Sequence, residues 1–158
     1  MSFLKKGKLG EGTGNDESYD KRILLLGLDN AGKTSILFHM RDNSFKETVP
    51  TVGLNIENIT YKRYNITFWD VGGQATKLWK HYFDHIEGVV FVIDSTDEEK
   101  LMFAKEELKR VLSDESLGIA PFLLFYNKQD LADKAKPILE LNSRLDINNL
   151  ASEREIAV

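Results

Sequence analysis

The sequence predicts an α/β protein of three layers, in which a mostly parallel six-stranded sheet with one antiparallel hairpin lies between helices. Short continuous apolar runs, which are typical of strands buried on both faces, alternate with segments of helical periodicity. Two of the runs are separated only by a tight turn, which predicts a hairpin. The chain has 158 residues and is 42% hydrophobic, which fits one domain with an ordinary core.

The predicted elements follow one another along a single domain over residues 21–158. Residues 1–20 are predicted to form an N-terminal arm, because three large apolar residues lie there among lysines and a glycine-rich acidic stretch follows. The apolar or alternating runs predict strands at 23–26, 55–61, 64–70, 89–94, 122–127 and 155–158. Helical spacing predicts helices at 33–41, 98–113 and near 136–144. Ser95 is predicted to cap the second of these helices.

Composition excludes several classes of function. The net charge is −4 and the basic residues are dispersed, so we expect no nucleic-acid partner. The chain contains no cysteine, which excludes disulfides, thiolate-bound zinc and a cysteine nucleophile. No apolar stretch approaches the roughly 18 residues of a membrane span, and no secretory signal is recognisable. We therefore expect a cytoplasmic protein that contacts an intracellular membrane at most peripherally.

Directly after the first predicted strand lies a glycine-rich octapeptide, Gly27-Leu28-Asp29-Asn30-Ala31-Gly32-Lys33-Thr34. The order of strand, glycine-rich loop and helix is that of a phosphate-binding P-loop. Gly27 and Gly32 allow backbone N–H groups to turn toward phosphate oxygens, and the helix presents its positive end there. Lys33 adds a charge for the outer phosphates, and the Thr34 hydroxyl is a predicted ligand of Mg²⁺. A chance match in a glycine turn is the alternative, and the flanking strand and helix argue against it.

Two later segments add residues suited to the same site. Asp70 ends the second hairpin strand, where a carboxylate can hold a metal-bound water, and Gly73 leaves its backbone N–H free to meet the terminal phosphate. Gln74 is predicted to orient the attacking water, and Lys33 to stabilise charge on the phosphates, so these two are the catalytic candidates. Thr51 is predicted to supply a second hydroxyl to Mg²⁺.

The last predicted motif is Asn127-Lys128-Gln129-Asp130, at the end of an apolar run. A carboxylate at Asp130 can accept from the ring N–H and exocyclic amine of guanine, whereas adenine lacks this pair of donors. Lys128 can lie against the purine, and Asn127 can hold loops together. A P-loop kinase or ATPase remains the alternative that the octapeptide alone would allow.

Taken together, these motifs make the chain resemble a small GTPase of the ADP-ribosylation-factor (Arf and Arf-like) family. The resemblance runs from about residue 20 to the end and includes Pro50-Thr51-Val52-Gly53, Trp69-Asp70-Val71-Gly72-Gly73-Gln74 and Trp79-Lys80-His81-Tyr82-Phe83. It implies a P-loop GTPase domain that binds GTP or GDP with Mg²⁺ and regulates vesicle or membrane traffic. The implied nucleotide-binding residues are Gly27, Leu28, Asp29, Asn30, Ala31, Gly32, Lys33, Thr34, Ser35, Thr51, Asp70, Gly73, Asn127, Lys128 and Asp130; the implied metal ligands are Thr34 and Thr51.

The resemblance also implies partners. The loop around Thr51 corresponds to switch I, the segment from Asp70 to Tyr82 to switch II, and the hairpin to the interswitch. An exchange factor, a GTPase-activating protein and effectors are expected to bind these segments, with effectors contacting Leu54, Trp69 and Tyr82. Because no arginine lies in the loops around the P-loop, and because Asp29 places a carboxylate near the terminal phosphate, we expect slow hydrolysis until a partner supplies an arginine.

The sequence departs from the family at three places. Ser2 stands where N-myristoylation requires glycine, so we expect no acyl anchor and only weak membrane contact. Only four residues separate Gln74 from Trp79, which shortens switch II and leaves open a nucleotide-loaded scaffold that hardly hydrolyses GTP. After Val158 the family continues with a base-contacting loop and a closing helix. We therefore expect either a truncated sequence or a weak, unstable nucleotide binder.

Overall fold

The computed structural model describes residues 18–158. Residues 1–17 of the predicted N-terminal arm lie outside this range. The strands are β1 (Tyr19–Leu26), β2 (Leu54–Tyr61), β3 (Tyr64–Val71), β4 (Gly88–Asp94), β5 (Phe122–Asn127) and β6 (Ile156–Ala157). The α-helices are α1 (Lys33–Asp42), α2 (Glu98–Leu112), α3 (Ile138–Leu145) and α4 (Ile147–Glu153). Two 3-10 helices span Thr76–Tyr82 and Glu115–Leu117. Within residues 18–158, none of the helices has both the length and the apolar character needed to span a membrane.

The sheet confirms the predicted fold class. Its strand order is β2-β3-β1-β4-β5-β6. The β2 and β3 strands pair antiparallel, while the β1–β3, β1–β4, β4–β5 and β5–β6 pairs are parallel. Parallel strands end at the same edge of a sheet, so the segments that follow β1, β3, β4 and β5 meet at one edge. Every predicted motif lies at this edge.

The core lies on both faces of the sheet, as a three-layer arrangement requires. Along β1, Leu24 and Leu26 pack into one apolar cluster with Trp79 of the Thr76–Tyr82 3-10 helix, whereas Leu25 packs into a second cluster with Leu37 of α1. Side chains alternate between the faces of a strand, so one apolar run supplies both clusters. This burial on both faces explains the continuous apolar run at 23–26, which predicted only the second half of β1. Residues 19–22 extend the strand with a mostly polar and less buried sequence.

The predicted cap of α2 is wrong. The N-cap is Asp97, whose side chain accepts from the backbone N–H of Lys100 at 3.1 Å. Ser95 is buried instead, and its hydroxyl accepts from Gln129 Nε2 at 2.7 Å. A carboxylate directly before the first helical residue reaches the free N–H groups, whereas Ser95 lies two residues too early.

Candidate functional site

A cavity of about 190 Å³ opens at the carboxyl edge of the sheet, between the P-loop, the loop before β2 and the segment after β3. It is lined by Asp29, Asn30, Gly32, Lys33, Thr34, Ser35, Thr48, Val49, Pro50, Thr51, Gly73, Gln74 and Lys128. Most of the predicted site residues therefore line one cavity. Thr48, Val49 and Pro50, which precede Thr51 in the loop before β2, also line the cavity although they are not among the predicted nucleotide-binding residues.

The backbone of the P-loop needs glycine at two positions. Gly27 has a φ of 140° and a Cβ there would collide with the backbone carbonyl of Val92. Gly32 has a φ of 94° and lies against the side chain of Asn127. α1 begins directly after Gly32, and no side chain caps its first N–H groups. These donors at the positive end of a helix suit an anionic ligand.

Lys33 lies buried in the wall of the cavity. Its ammonium group donates to the carbonyl oxygen of Gly27 at 2.8 Å and to that of Leu28 at 3.0 Å. Burial lowers the pKa of Lys33 to about 8, while the nearby charges of Asp70 and Asp29 act in the opposite direction. The P-loop therefore holds a cation that is still mainly charged at neutral pH.

Three oxygen-bearing side chains from different parts of the fold meet beside Lys33. The hydroxyl of Thr34, on α1, donates to Asp70 Oδ2 at 2.6 Å and lies 2.8 Å from the hydroxyl of Thr51. Asp70, on β3, is fully buried, and burial raises its pKa above the ordinary value although bonds from Thr34 and Thr51 act against this. Its other oxygen, Oδ1, has no hydrogen-bond partner within residues 18–158.

This cluster fits a magnesium ion. Hard divalent cations take oxygen ligands, and Mg²⁺ usually keeps several waters beside one or two protein oxygens. Thr34 and Thr51 supply hydroxyl oxygens, and the unpartnered Asp70 Oδ1 is a buried acceptor that a metal-bound water would satisfy. Thr34, Thr51 and Asp70 therefore have the oxygen chemistry that a magnesium site requires.

Gly73 and Gln74 connect the segment after β3 with the P-loop. Gly73 packs so closely that a Cβ would collide with the backbone of Leu28 and Asp29. The neighbouring Gly72 donates its N–H to the carbonyl of Gly53, in the loop before β2, at 2.9 Å. Gln74 is exposed at the mouth of the cavity. The loops on both sides of the cavity thus contact each other directly.

Of the motif Asn127-Lys128-Gln129-Asp130 after β5, only Lys128 lines the cavity. Asn127 Nδ2 donates to the carbonyl of Ala31 at 2.8 Å and so ties β5 to the P-loop, as predicted for a residue that holds loops together. Lys128 lines the cavity and forms an ion pair of 2.7 Å with Asp94. Asp130 is exposed and does not belong to the cavity lining. The structure brings the phosphate-directed residues together but leaves Asp130 outside that group.

The three residues expected to contact effectors lie on one side of the hairpin. Leu54, Trp69 and Tyr82 are partly buried and pack against the larger apolar cluster. The rings of Trp69 and Tyr82 meet edge to face with centroids 6.3 Å apart. The Arg22 guanidinium lies 5.1 Å from the centre of the Trp69 ring. Trp69 and Tyr82 thus form an aromatic pair that stays partly exposed.

The sheet order and the glycine-rich loop at its edge first define a class, the P-loop GTPase fold. The model of the ADP-ribosylation factor (Arf) family matches residues 13–158, and the chain belongs to this family. Among solved structures, it is similar to the small GTPase Arl6 (BBS3) of Trypanosoma brucei, determined with the nucleotide analogue GppNp. That match has 34% sequence identity and a TM-score of 0.77, and it covers 87% of this chain and 84% of the other. The family consists of GTP-binding switch proteins with GTP hydrolase activity.

Proposed function

We propose that the protein hydrolyses GTP to GDP as an Arf-type molecular switch over residues 21–158, and that it regulates vesicle or membrane traffic through effectors. The observation that carries the proposal is that the side-chain oxygens of Thr34, Thr51 and Asp70 meet. These oxygens, which suit a metal ion, join the P-loop, strand β3 and the loop that precedes β2. A ligand that changes this group acts on both loops at once.

The phosphates bind to the P-loop in this proposal. The uncapped N–H groups at the start of α1 and the backbone around Gly32 donate to phosphate oxygens, and Lys33 turns from the carbonyls of Gly27 and Leu28 toward the outer phosphates. Triphosphate charge stabilises the ammonium form of Lys33, which opposes the effect of burial on its pKa.

Thr34 and Thr51 hold Mg²⁺ in this proposal, and Asp70 accepts hydrogen bonds from the ligands around it. The ion, when bound, neutralises charge that develops on the phosphates. The Thr51 hydroxyl, which lies 2.8 Å from that of Thr34, would hold the ion from the loop before β2 and so couple this loop to the metal. Gly73, which packs closely on the backbone of Leu28 and Asp29, would present its N–H to the terminal phosphate.

Gln74 orients the attacking water from the mouth of the cavity. No arginine is among the residues that line the cavity within the described part of the chain. An arginine in such a site stabilises the transition state, so we expect a GTPase-activating protein to supply one. Hydrolysis by the protein alone is correspondingly slow.

The base of the nucleotide is recognised beyond the cavity lining. Asp130 is exposed and can accept from the two neighbouring donors of guanine. Asn127 holds the loop after β5 against the P-loop through Ala31, which fixes the distance between the base and phosphate subsites. Effectors contact Leu54, Trp69 and Tyr82, which are partly buried against the larger apolar cluster and therefore partly exposed.

Replacing Gln74 with leucine tests the hydrolytic part of the proposal. In single-turnover phosphate release with an Arf-family GTPase-activating protein, we expect Gln74→Leu to be about 100-fold slower than the wild type, because a positioned polar group is lost. The affinity for GTP should change little. Lys77→Leu, which alters an exposed neighbouring side chain, is the control. Equal rates for wild type and Gln74→Leu, with no acceleration by the activating protein, would instead favour a nucleotide-loaded scaffold.

A further inference from the structure

The segment that carries Gln74 is attached at both ends by side-chain hydrogen bonds to its backbone. At its start, Trp79 Nε1 donates to the carbonyl of Gly72 at 3.0 Å. At its end, Arg110 Nη2 donates to the carbonyl of Thr76 at 2.8 Å. Only three residues lie between these two carbonyl-bearing positions, and Gln74 is the middle one. Consecutive Cα atoms are about 3.8 Å apart, so two fixed ends leave Gln74 little freedom of position.

Arg110 is itself fixed by its surroundings on α2. Glu107, one turn earlier and only 9% exposed, accepts from Arg110 Nε at 2.9 Å and from Nη2 at 2.5 Å. The guanidinium also lies 5.9 Å from the centre of the Trp79 ring. A planar guanidinium held by a carboxylate loses little further freedom when it donates to a third group. Arg110 therefore offers Thr76 a preorganised donor.

Trp79, the other attachment, is equally constrained. It is fully buried, and its ring meets that of Phe91 on β4 edge to face at 5.9 Å. Thr76 is also buried, so its carbonyl lies in a region where an unpaired acceptor is costly. The two attachments thus connect the Gln74 segment to α2 and to β4, which form part of the rigid core. None of Thr76, Trp79 and Arg110 is among the residues that line the cavity.

We propose that Arg110 is a positioning residue that sets the location of Gln74 through the carbonyl of Thr76. The inference rests on the proposed function, because it gives Gln74 the role of orienting the attacking water. It also explains how a short switch segment holds Gln74 in position, because α2 supplies a second point of attachment that does not depend on the length of the segment. Movement of the segment requires the Arg110–Thr76 hydrogen bond to break.

Amide hydrogen exchange of GDP-loaded protein tests the attachment directly. In Arg110→Met we expect exchange in a peptide covering residues 73–79 to accelerate about 10-fold, while β4 and β5 stay unchanged. Arg110→Lys, which keeps a donor, should lie between Arg110→Met and the wild type. The control is Lys105→Met on the same helix, which removes a 2.9 Å bond to the carbonyl of Arg144, far from this segment in sequence. Unchanged exchange at 73–79 in Arg110→Met would overturn the proposal.

The catalytic consequence is measured in single-turnover GTP hydrolysis with the same variants. Displacement of a catalytic group by about 1 Å can cost up to about 100-fold in rate, so we expect hydrolysis by Arg110→Met to be about 10-fold slower than by the wild type. Its dissociation constant for GTP should stay within about twofold of the wild-type value. Arg110→Lys should recover part of the lost rate. Faster exchange with unchanged hydrolysis, or a loss of hydrolysis that only parallels loss of binding and thermal stability, would contradict the positioning role. A wild type that binds GTP but never releases phosphate would overturn the proposed function itself, and the role of Arg110 with it.

Discussion

Gly27→Ala is expected to destabilise the folded protein by about 3 kcal/mol, because a new Cβ would both strain the backbone and press on a neighbouring strand. Gly27 has a φ of 140°, which side-chain-bearing residues rarely adopt. The Cβ would collide with the carbonyl of Val92, a backbone atom that is held in the middle of β4 and cannot move aside cheaply. Chemical denaturation measures the loss as a lower midpoint at an unchanged slope.

Gly88→Ala is the matched control for this prediction. Gly88 is buried in the same sheet, but the close contact of a Cβ there would be with the end of the Ile23 side chain, at 2.9 Å, while the carbonyl of Pro121 lies at an ordinary contact distance of 3.8 Å. A flexible side chain can shift, so we expect a loss below about 1 kcal/mol. Equal losses for the two variants would show that contact with the β4 backbone does not explain the need for glycine at position 27.

Thr34→Val is expected to remove most of the benefit that Mg²⁺ brings to GTP binding. Valine keeps the shape of threonine but lacks the hydroxyl that joins Asp70 and Thr51 at 2.6 and 2.8 Å. Loss of a residue that supports a metal typically costs 10- to 100-fold in metal affinity, and we expect the upper end, about 100-fold, for GTP affinity in Mg²⁺. Titration of a fluorescent GTP analogue with and without a chelator measures this.

Thr67→Val serves as the control for Thr34→Val. Thr67, on β3, donates its hydroxyl to the side chain of Asn58 on β2 at 2.8 Å, and neither residue lines the cavity. We expect Thr67→Val to retain the full effect of Mg²⁺. If Thr34→Val binds GTP with the same dependence on Mg²⁺ as the wild type, the assignment of Thr34 to the metal is wrong.

The strands were predictable because each contains an apolar or alternating run. β4 is buried on both faces, as its continuous apolar run predicts. The two-sided burial predicted for 122–127 is wrong, because Leu123 and Phe125 on one face of β5 are 38% and 40% exposed. The run at 122–127 predicts β5 at its observed bounds, and the pair of runs at 55–61 and 64–70 differs from β2 and β3 by one residue at one end of each. The helix α4 was not predicted, since its seven residues make only about two turns, which is too short a segment to establish a period. The Thr76–Tyr82 3-10 helix was also missed, because its short turns do not follow the α-helical spacing.

The candidate site was predictable only where its chemistry lies in local motifs. The octapeptide at Gly27 contains the whole P-loop, and parallel strands bring Asp70 to the same edge of the sheet. Contacts between distant residues have no such local signal. Arg110 lies 34 residues from Thr76 in the sequence. Lys100 lies 71 residues from Asp29 in the sequence, although its ammonium group is 3.3 Å from Asp29 Oδ2 in the fold. These contacts depend on how α2 packs against the sheet, which periodicity does not specify.

Titration of the purified full chain with GTP and with ATP in Mg²⁺ tests most directly whether this cavity and the motif after β5 form a guanine-nucleotide site. A carboxylate at Asp130 pairs with guanine and is left without donors by adenine, and a site built to pair with such donors discriminates by about 10⁴-fold. We therefore predict GTP binding at least 100-fold tighter than ATP binding, with the preference lost in Asp130→Asn. ATP binding as tight as GTP binding, or a preference unaffected by Asp130→Asn, would contradict the account.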